Sequence, residues 1–353
     1  MASNSIGQEF RITTFGESHG VGVGVVIDGT PAGLKLCEED IQKDLDRRKP
    51  GQSKITTQRK EADLVRILSG VFEGVTTGHP IALLIENSDA KSKNYDNIKD
   101  SFRPGHADFT YHHKYGVRDY RGGGRSSGRE TACRVAAGAI AKKILAVCNI
   151  SVKAATIQVG KIKGNKWVED FIEKNPVRCA DPDVEKKMIE LIDSARMDLD
   201  SVGGVIECHV DNVPIGLGEP IYDKSDCEIA KAILSIGAFK GIEFGNGFEA
   251  AEMKGSEHND EIGKNGFLTN HSGGILGGIS NGEQILFRMV VKPTASIAKK
   301  QKSIDIMGNE IIVETHGRHD PCILPRAVPV VEAMTAITLA DHLIRSGLYY
   351  KKV

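Results

Sequence analysis

The sequence offers no cysteine pair. Its seven cysteines, Cys37, Cys133, Cys148, Cys179, Cys208, Cys227 and Cys322, are scattered, odd in number and never spaced C-x-x-C. That excludes a disulfide framework, supplies no structural metal site and fits a reducing compartment. The N-terminal MASNSIGQEFRITTFGES has no basic segment followed by an apolar one, and no apolar run approaches the ~18 residues needed to span a bilayer. A cytoplasmic protein with no membrane partner is expected. Net charge is missing too. The 46 lysines and arginines meet 47 acids, for a formal charge of −1, which argues against a nonspecific nucleic-acid binder.

Glycine is abundant, at 39 of 353 residues against a usual ~7%, so many backbone positions need special conformations. Charge is distributed unevenly. From Ser101 to Arg134, seven bases (Arg103, Lys114, Arg118, Arg121, Arg125, Arg129, Arg134) face three acids (Asp108, Asp119, Glu130), with His106, His112 and His113 among them. Six of those bases are arginine, whose planar fork grips phosphate and carboxylate. Arg47, Arg48, Lys49, Lys54, Arg59 and Lys60 form a second cluster in a stretch that reads as a loop. Such clusters suit small anionic ligands.

RGGGRSSGRET, Arg121 to Thr131, ends in a capping-box pattern, Ser127 to Glu130, ahead of an apolar helical face at Ala132, Val135, Ala136, Ala139 and Ile140. Glycines leading into a helix start make a place for an anion. Gly123 and Gly128 have the spacing of a nucleotide P-loop, but Arg129 and Glu130 stand where that loop needs Lys and Ser or Thr, so ATP chemistry is excluded. GESHG (16 to 20) and RPGHAD (103 to 108) each place a histidine on a glycine turn, where acid–base work near neutral pH is natural. KPTAS (292 to 296) has a lysine and two hydroxyls suited to a phosphate tail, and GRHDP (317 to 321) sets Arg318 and Asp320 before the last helix.

The chain also repeats itself. GVGVVIDGTPAGL (22 to 34) matches GGVIECHVDNVPIGL 183 positions later, and Gly70, Gly74, Gly78 and Ile81 match Gly274, Gly278, Gly282 and Ile285 at an offset of 204. Two matches in one order indicate a duplicated half-chain. The expectation is one α+β domain, residues 1–353, with antiparallel sheets flanked by helices. Its related halves are roughly 1–150 and 200–353, joined by a charged helical segment, 161–202.

In chain order, GESHG, RRKPGQSKITTQRKE, RPGHAD, RGGGRSSGRETACRVAAGA, NHSGGILGGISNG, KPTAS and RHDPC closely resemble the chorismate synthase family over nearly the whole chain. The resemblance implies a β-α-β sandwich with internal pseudo-two-fold symmetry, a homotetramer, and an anti-1,4-elimination turning 5-enolpyruvylshikimate 3-phosphate into chorismate and phosphate with reduced FMN. It implies that His19 protonates the leaving phosphate, that His106 protonates or stabilises the anionic reduced flavin, and that Ser18 and Ser127 relay protons. Asp320 would help remove the substrate proton. Arg47, Arg48, Lys54, Arg129 and Arg318 would hold the substrate; the family often has arginine at the Lys54 position, so that contact keeps charge but loses the fork. Arg125, Ser126, Ser127, Gly237, Ala238, Gly277, Lys292, Pro293, Thr294, Ala295, Ser296 and Arg318 would contact FMN. No segment is large enough for a reductase domain, which implies an external flavin reductant. Two other readings stand beside this one. One is an FMN-dependent reductase of an anionic substrate. The other is a nucleic-acid protein stacking bases on Tyr111, Tyr115 and Tyr120.

Overall fold

The structure is a computed structural model that describes residues 4–53, 55–56, 61–88, 98–315 and 319–352. Lys54, Arg59, Lys60 and Arg318 lie outside the described residues. Two five-stranded antiparallel sheets form the outer layers. In the first, β1 (Ser5–Ile6), β2 (Arg11–Gly16), β3 (Gly22–Asp28), β4 (Val65–Ile67) and β7 (Ile81–Glu86) lie in the order β1-β2-β3-β7-β4. The hairpin β5 (Val71–Phe72) and β6 (Val75–Thr76) precedes β7. The second sheet holds β8 (Ser151–Val159), β9 (Ile162–Lys163), β10 (Gly204–Asp211), β11 (Phe239–Phe244) and β16 (Ile285–Val291), ordered β11-β16-β10-β8-β9. Three small hairpins complete the strands of this half: β12 (Ile262–Gly263) with β13 (Gly266–Phe267), β14 (Ile275–Leu276) with β15 (Ile279–Ser280), and β17 (Gln301–Ile304) with β18 (Glu310–Val313).

The helices are α1 (Glu38–Arg48), α2 (Asp108–Tyr115), α3 (Thr131–Val147), α4 (Glu169–Ile172), α5 (Glu185–Met197), α6 (Ser225–Leu234), α7 (Gly255–His258) and α8 (Leu324–Arg345). Strand alternation faces Ile81, Leu83 and Ile85 of the first sheet inward, and Ile206, Cys208, Val210, Ile285, Phe287 and Met289 of the second. Between the sheets run α3 and α8, apolar on almost every side, as a helix buried all round must be. They cross so closely that a β-carbon on Gly138 would sit 2.3 Å from that of Ala333. By length and composition α8 could cross a membrane, a feature the sequence reading passed over, but that apolar stretch is wholly buried inside the protein and is its core helix.

The repeat is visible in the topology. The order β2-β3-β7-β4 of one sheet recurs as β8-β10-β16-β11 in the other, and in both a small hairpin precedes the strand after the glycine match. Strand β8 holds in the second sheet the place β2 holds in the first, so the second repeat starts ahead of residue 161. The charged segment, with β9, α4 and α5, is inserted between two of its strands. One continuous apolar core draws on both halves.

Candidate active site

RGGGRSSGRET runs as two tight 3-10 turns, Gly124–Ser126 and Gly128–Glu130, before α3. Ser127 Oγ accepts from the Arg129 backbone N–H at 3.3 Å and caps the second turn. The capping box is not completed. Glu130 instead accepts from Thr14 Oγ1 and Arg134 Nε, both at 2.8 Å, because Arg134 lies one helical turn on.

The bare backbone of this stretch has a specific use. Gly122 and Gly123 have φ of +71° and +99°. A β-carbon on Gly122 would come within 2.7 Å of His19 Cδ2 and 2.9 Å of Ser18 Oγ, and one on Gly123 within 2.9 Å of His106 Cε1 and 3.0 Å of Ser126 Oγ. The two histidine turns, far apart in sequence, therefore lean on adjacent residues whose Cα atoms are about 3.8 Å apart.

A buried charge cluster stands behind each turn. Behind GESHG, Asn87 Nδ2 donates to the carbonyls of Glu17 (3.0 Å) and Gly20 (2.9 Å), while its Oδ1 accepts from Arg129 Nε at 2.7 Å. Arg129 Nη1 also donates to Asp63, whose other oxygen accepts from Arg48 Nη2 at 2.6 Å. Both arginines and Asp63 are almost wholly buried. Burial pushes the Asp63 carboxyl up, but Arg48 and Arg129 outweigh it and hold it below the usual carboxylate range. Burial, with the cations Arg326 and Arg129 nearby, brings Arg48 down to about 10. Arg48 Nε is buried without a partner among the described residues. Arg326 donates from Nε to the Arg48 carbonyl at 3.2 Å and from Nη1 to buried Asp320, joining the C-terminal motif to the same cluster.

Behind RPGHAD, buried Asp108 accepts from Arg103 Nε (2.7 Å) and Nη2 (3.0 Å), with Arg118 Nη1 and His106 Nδ1 each 3.1 Å away. Burial raises the Asp108 carboxyl, yet the contact with His106 and the hydrogen bonds from Arg103 hold it well below its usual range. His106 itself is lowered, by burial first, with Arg103 and Arg118 adding and Asp108 opposing. His319 is pushed down to about 4 by burial, and the charges of Arg103, Asp320 and His106 act on it too.

The second half contributes KPTAS. Lys292 Nζ donates to the Gly105 carbonyl at 3.1 Å, and Ser296 Oγ lies 3.4 Å from Arg103 Nη1. Ala295 would be 3.6 Å from a β-carbon on Gly105. The Lys292 backbone N–H donates to the Ala238 carbonyl, so Gly237 and Ala238, the latter at φ +76°, adjoin the same place. Burial, then Lys240, lowers the Lys292 ammonium, and Thr294 Oγ1 is buried without a partner among the described residues.

Three expected contacts go elsewhere. Arg47 is turned from Arg48 into a scaffold cluster, donating to Glu332 (2.6 and 2.9 Å), Glu173 (2.7 Å) and Asp44 (3.3 Å). Neighbours on a helix point about 100° apart, so only one of the pair reaches the site. Arg125 donates to Thr14 Oγ1 at 2.7 Å and the Gly16 carbonyl at 3.2 Å, which ties the glycine stretch to β2. Gly277 sits in the β14-β15 turn beside Gly278, which packs on Lys224 and Ser225 at the start of α6. Asp63, Asn87, Asp108, His319 and Arg326 were missed; the only sequence signals were that Asp108 and His319 lie within RPGHAD and GRHDP and that Arg326 is in the first turn of the helix after RHDP.

The chorismate synthase family model matches residues 10–344. The chain is 55% identical over 351 residues to the chorismate synthase of Christiangramia forsetii, covering 98% of this chain and 99% of that one. It is 54% identical over 353 residues to that of Chloroflexus aggregans, covering 99% and 97%. A crystal structure of chorismate synthase superposes with a TM-score of 0.78 at 34% identity, over 96% of this chain and 93% of that one. With the motifs in order and the sandwich in place, this chain belongs to the chorismate synthase family.

Proposed function

We propose that the chain converts 5-enolpyruvylshikimate 3-phosphate into chorismate and inorganic phosphate by anti-1,4-elimination, with reduced FMN as cofactor. The observation that carries this reading is the meeting of two histidine turns on adjacent glycines, each backed by a cluster with two guanidinium groups to one carboxylate.

The residues fit both guests. A substrate with one phosphate and two carboxylates needs more cation than anion around it, and the Arg48–Asp63–Arg129 cluster carries that excess. The partnerless Arg48 Nε marks unused donor capacity there. For the cofactor, the Lys292 ammonium, the orphan Thr294 hydroxyl and the Ser296 hydroxyl match a phosphate ester. When bound, the reduced flavin supplies electron density to the substrate without net redox change.

His19 would give its ring proton to an oxygen of the departing phosphate, with Ser18 alongside as relay, since phosphate leaves more readily once protonated. His106 would present its other ring edge to the flavin, with Ser127 as relay. Asp320, held by Arg326, would accept the proton leaving the substrate ring. Arg318 belongs to the substrate and flavin sets on the resemblance alone. We also read the chain as one domain of two related halves, acting as a cytoplasmic homotetramer with an external flavin reductant.

The test is anaerobic chorismate formation with dithionite-reduced FMN, for the parent and for His106→Ala. Phosphate and chorismate should appear together without consumption of flavin electrons, and the variant should lose activity while still binding FMN. Full activity in the variant would remove His106 from the mechanism. Stoichiometric oxidation of the flavin would favour a reductase.

A further inference from the structure

We infer that Asp108 is the positioning residue of His106: its carboxylate takes the Nδ1 hydrogen and so commits the imidazole to presenting Nε2 at the Gly123–Ser126 turn. The relevance to turnover rests on the site assigned above, whereas the geometry and its test do not.

Three features carry the inference. The first is the fixity of the carboxylate. Asp108 opens α2, its side chain is 3% exposed, and Arg103 grips it through Nε and Nη2 while the Arg103 backbone N–H approaches at 3.3 Å. Arg118 Nη1 lies 3.1 Å from Oδ1 without a hydrogen bond to it and is itself held, because its Nη2 donates to the carbonyls of Ile98, Lys99 and Ser101 at 3.2, 2.8 and 2.7 Å. The carboxylate has no room to turn.

The second is the ring's placement. Nδ1 of His106 is 3.1 Å from Asp108 Oδ1, too oblique for a hydrogen bond but with no other partner among the described residues, and the opposite edge lies on Gly123, with Cε1 2.9 Å and Nε2 3.2 Å from where a β-carbon would be. One nitrogen is thus addressed by a buried anion and the other by a bare backbone. Oblique contacts of this kind are common in ligand-free sites and straighten when the ligand arrives.

The third is charge. The groups acting on His106 are Asp108, Arg103 and Arg118, and His106 acts in turn on His319. Two fixed guanidinium groups share the one carboxylate, so Asp108 does not by itself force the ring to be cationic. The flavin-free ring is then neutral at pH 7, with hydrogen on Nδ1 and a lone pair on Nε2. Arrival of an anion beside Nε2 draws a proton there, while the Nδ1 hydrogen stays on Asp108 throughout.

The test is a long-range proton–nitrogen NMR correlation on the flavin-free full chain carrying ¹⁵N-histidine, with the His106 signals assigned from their loss in His106→Gln. The parent should show the Nδ1–H tautomer. Asp108→Asn should lower the proton affinity of His106 about tenfold, the effect of removing a close carboxylate, and Arg118→Gln should raise it. In the anaerobic assay, Asp108→Asn should lower kcat more than it changes KM, within the ~10²–10⁴-fold worth of a placed acid or base. It should cost nothing further when added to His106→Ala, and Asp108→Glu should restore part of the loss. An Nε2–H tautomer in the parent overturns the inference even if every Asp108 variant fails to fold. So does a His106 titration that both the Asp108→Asn and Arg118→Gln changes leave unmoved. Loss of the His106→Ala phenotype alone would instead strike the proposed function.

Discussion

Gly122→Ala tests the placement of His19 with a single methyl group. At φ +71°, an alanine bears a backbone strain of about 1 kcal/mol relative to glycine. The methyl would also lie 2.7 Å from His19 Cδ2 and 2.8 Å from Nε2, whereas carbon atoms settle at about 3.5 Å or more. The ring must therefore retreat by about 0.8 Å. Displacing a reacting group by about 1 Å costs about 10²-fold in rate, equivalent to about 2.7 kcal/mol of barrier. A matched control exists at Gly116, with φ +72° and nothing within 4 Å of a β-carbon. Both variants should lose the same small amount of stability in thermal melts. In anaerobic chorismate formation at saturating reduced FMN, kcat/KM should fall about 100-fold for Gly122→Ala and stay near the parent value for Gly116→Ala. Equal activity in the two variants would refute the account of why this position is bare.

Glu332→Gln should destabilise the fold by about 1.5–3 kcal/mol, because it removes the buried carboxylate 2.6–2.7 Å from Arg47 and Lys142 and leaves them to Asp44 and Glu173; urea unfolding at neutral pH measures it, and an unchanged unfolding free energy would contradict the reading. Gly138→Ala should destabilise by about 1–3 kcal/mol although alanine is the better helix former by about 1 kcal/mol, since its methyl would meet Ala333 at 2.3 Å; a raised melting temperature would show that the helices can part. His319 is held neutral by burial, which pushes it down to about 4 from the ordinary histidine value of 6.5. The stability it contributes is present above 6.5 and is lost as pH falls towards 4, by up to about 3 kcal/mol. His319→Gln should flatten unfolding free energy against pH by one proton across that window, and an unchanged slope would exclude it as the titrating group.

The two-sheet α+β class was legible in the sequence because the duplication writes one pattern twice; the strand order was not. Asp28 and Asp211 end equivalent central strands, and the matching glycines mark equivalent hairpins. The motif histidines were legible because a histidine next to a glycine, His19 before Gly20 and His106 after Gly105, in a short polar turn is a local signal. Asp63 was not. It stands in a charged stretch where any acid looks solvated, and only the folded chain brings it between Arg48 and Arg129, fifteen residues on from the first and sixty-six before the second. Asn87 carries no special spacing either, and its role is to tie one turn to one arginine. Arg47 was grouped with Arg48 because adjacency in sequence suggests adjacency in space, which an α-helix denies. The close approach of α3 and α8 at Gly138 needed coordinates.

Site and scaffold are separated by the ratio of charges in each buried cluster. Among the described residues, Arg47, Lys142 and Arg178 meet Asp44, Glu173 and Glu332, three cations to three anions, with each cation beside at least one carboxylate. Such a cluster is complete and has nothing to offer a ligand. Among the described residues, Arg48 and Arg129 share only Asp63, and Arg103 and Arg118 share only Asp108, with an imidazole leaning on it as well. Burying two guanidinium groups against one carboxylate is unfavourable in isolation: burial first, then the cations Arg326 and Arg129, brings Arg48 down to about 10 against the pull of Asp63. The imbalance is relieved only when an anion enters. In a chain with net charge −1, among the described residues these two buried clusters, behind the turns that lean on Gly122 and Gly123, each set two guanidinium groups against one carboxylate, the arrangement a small polyanion would complete.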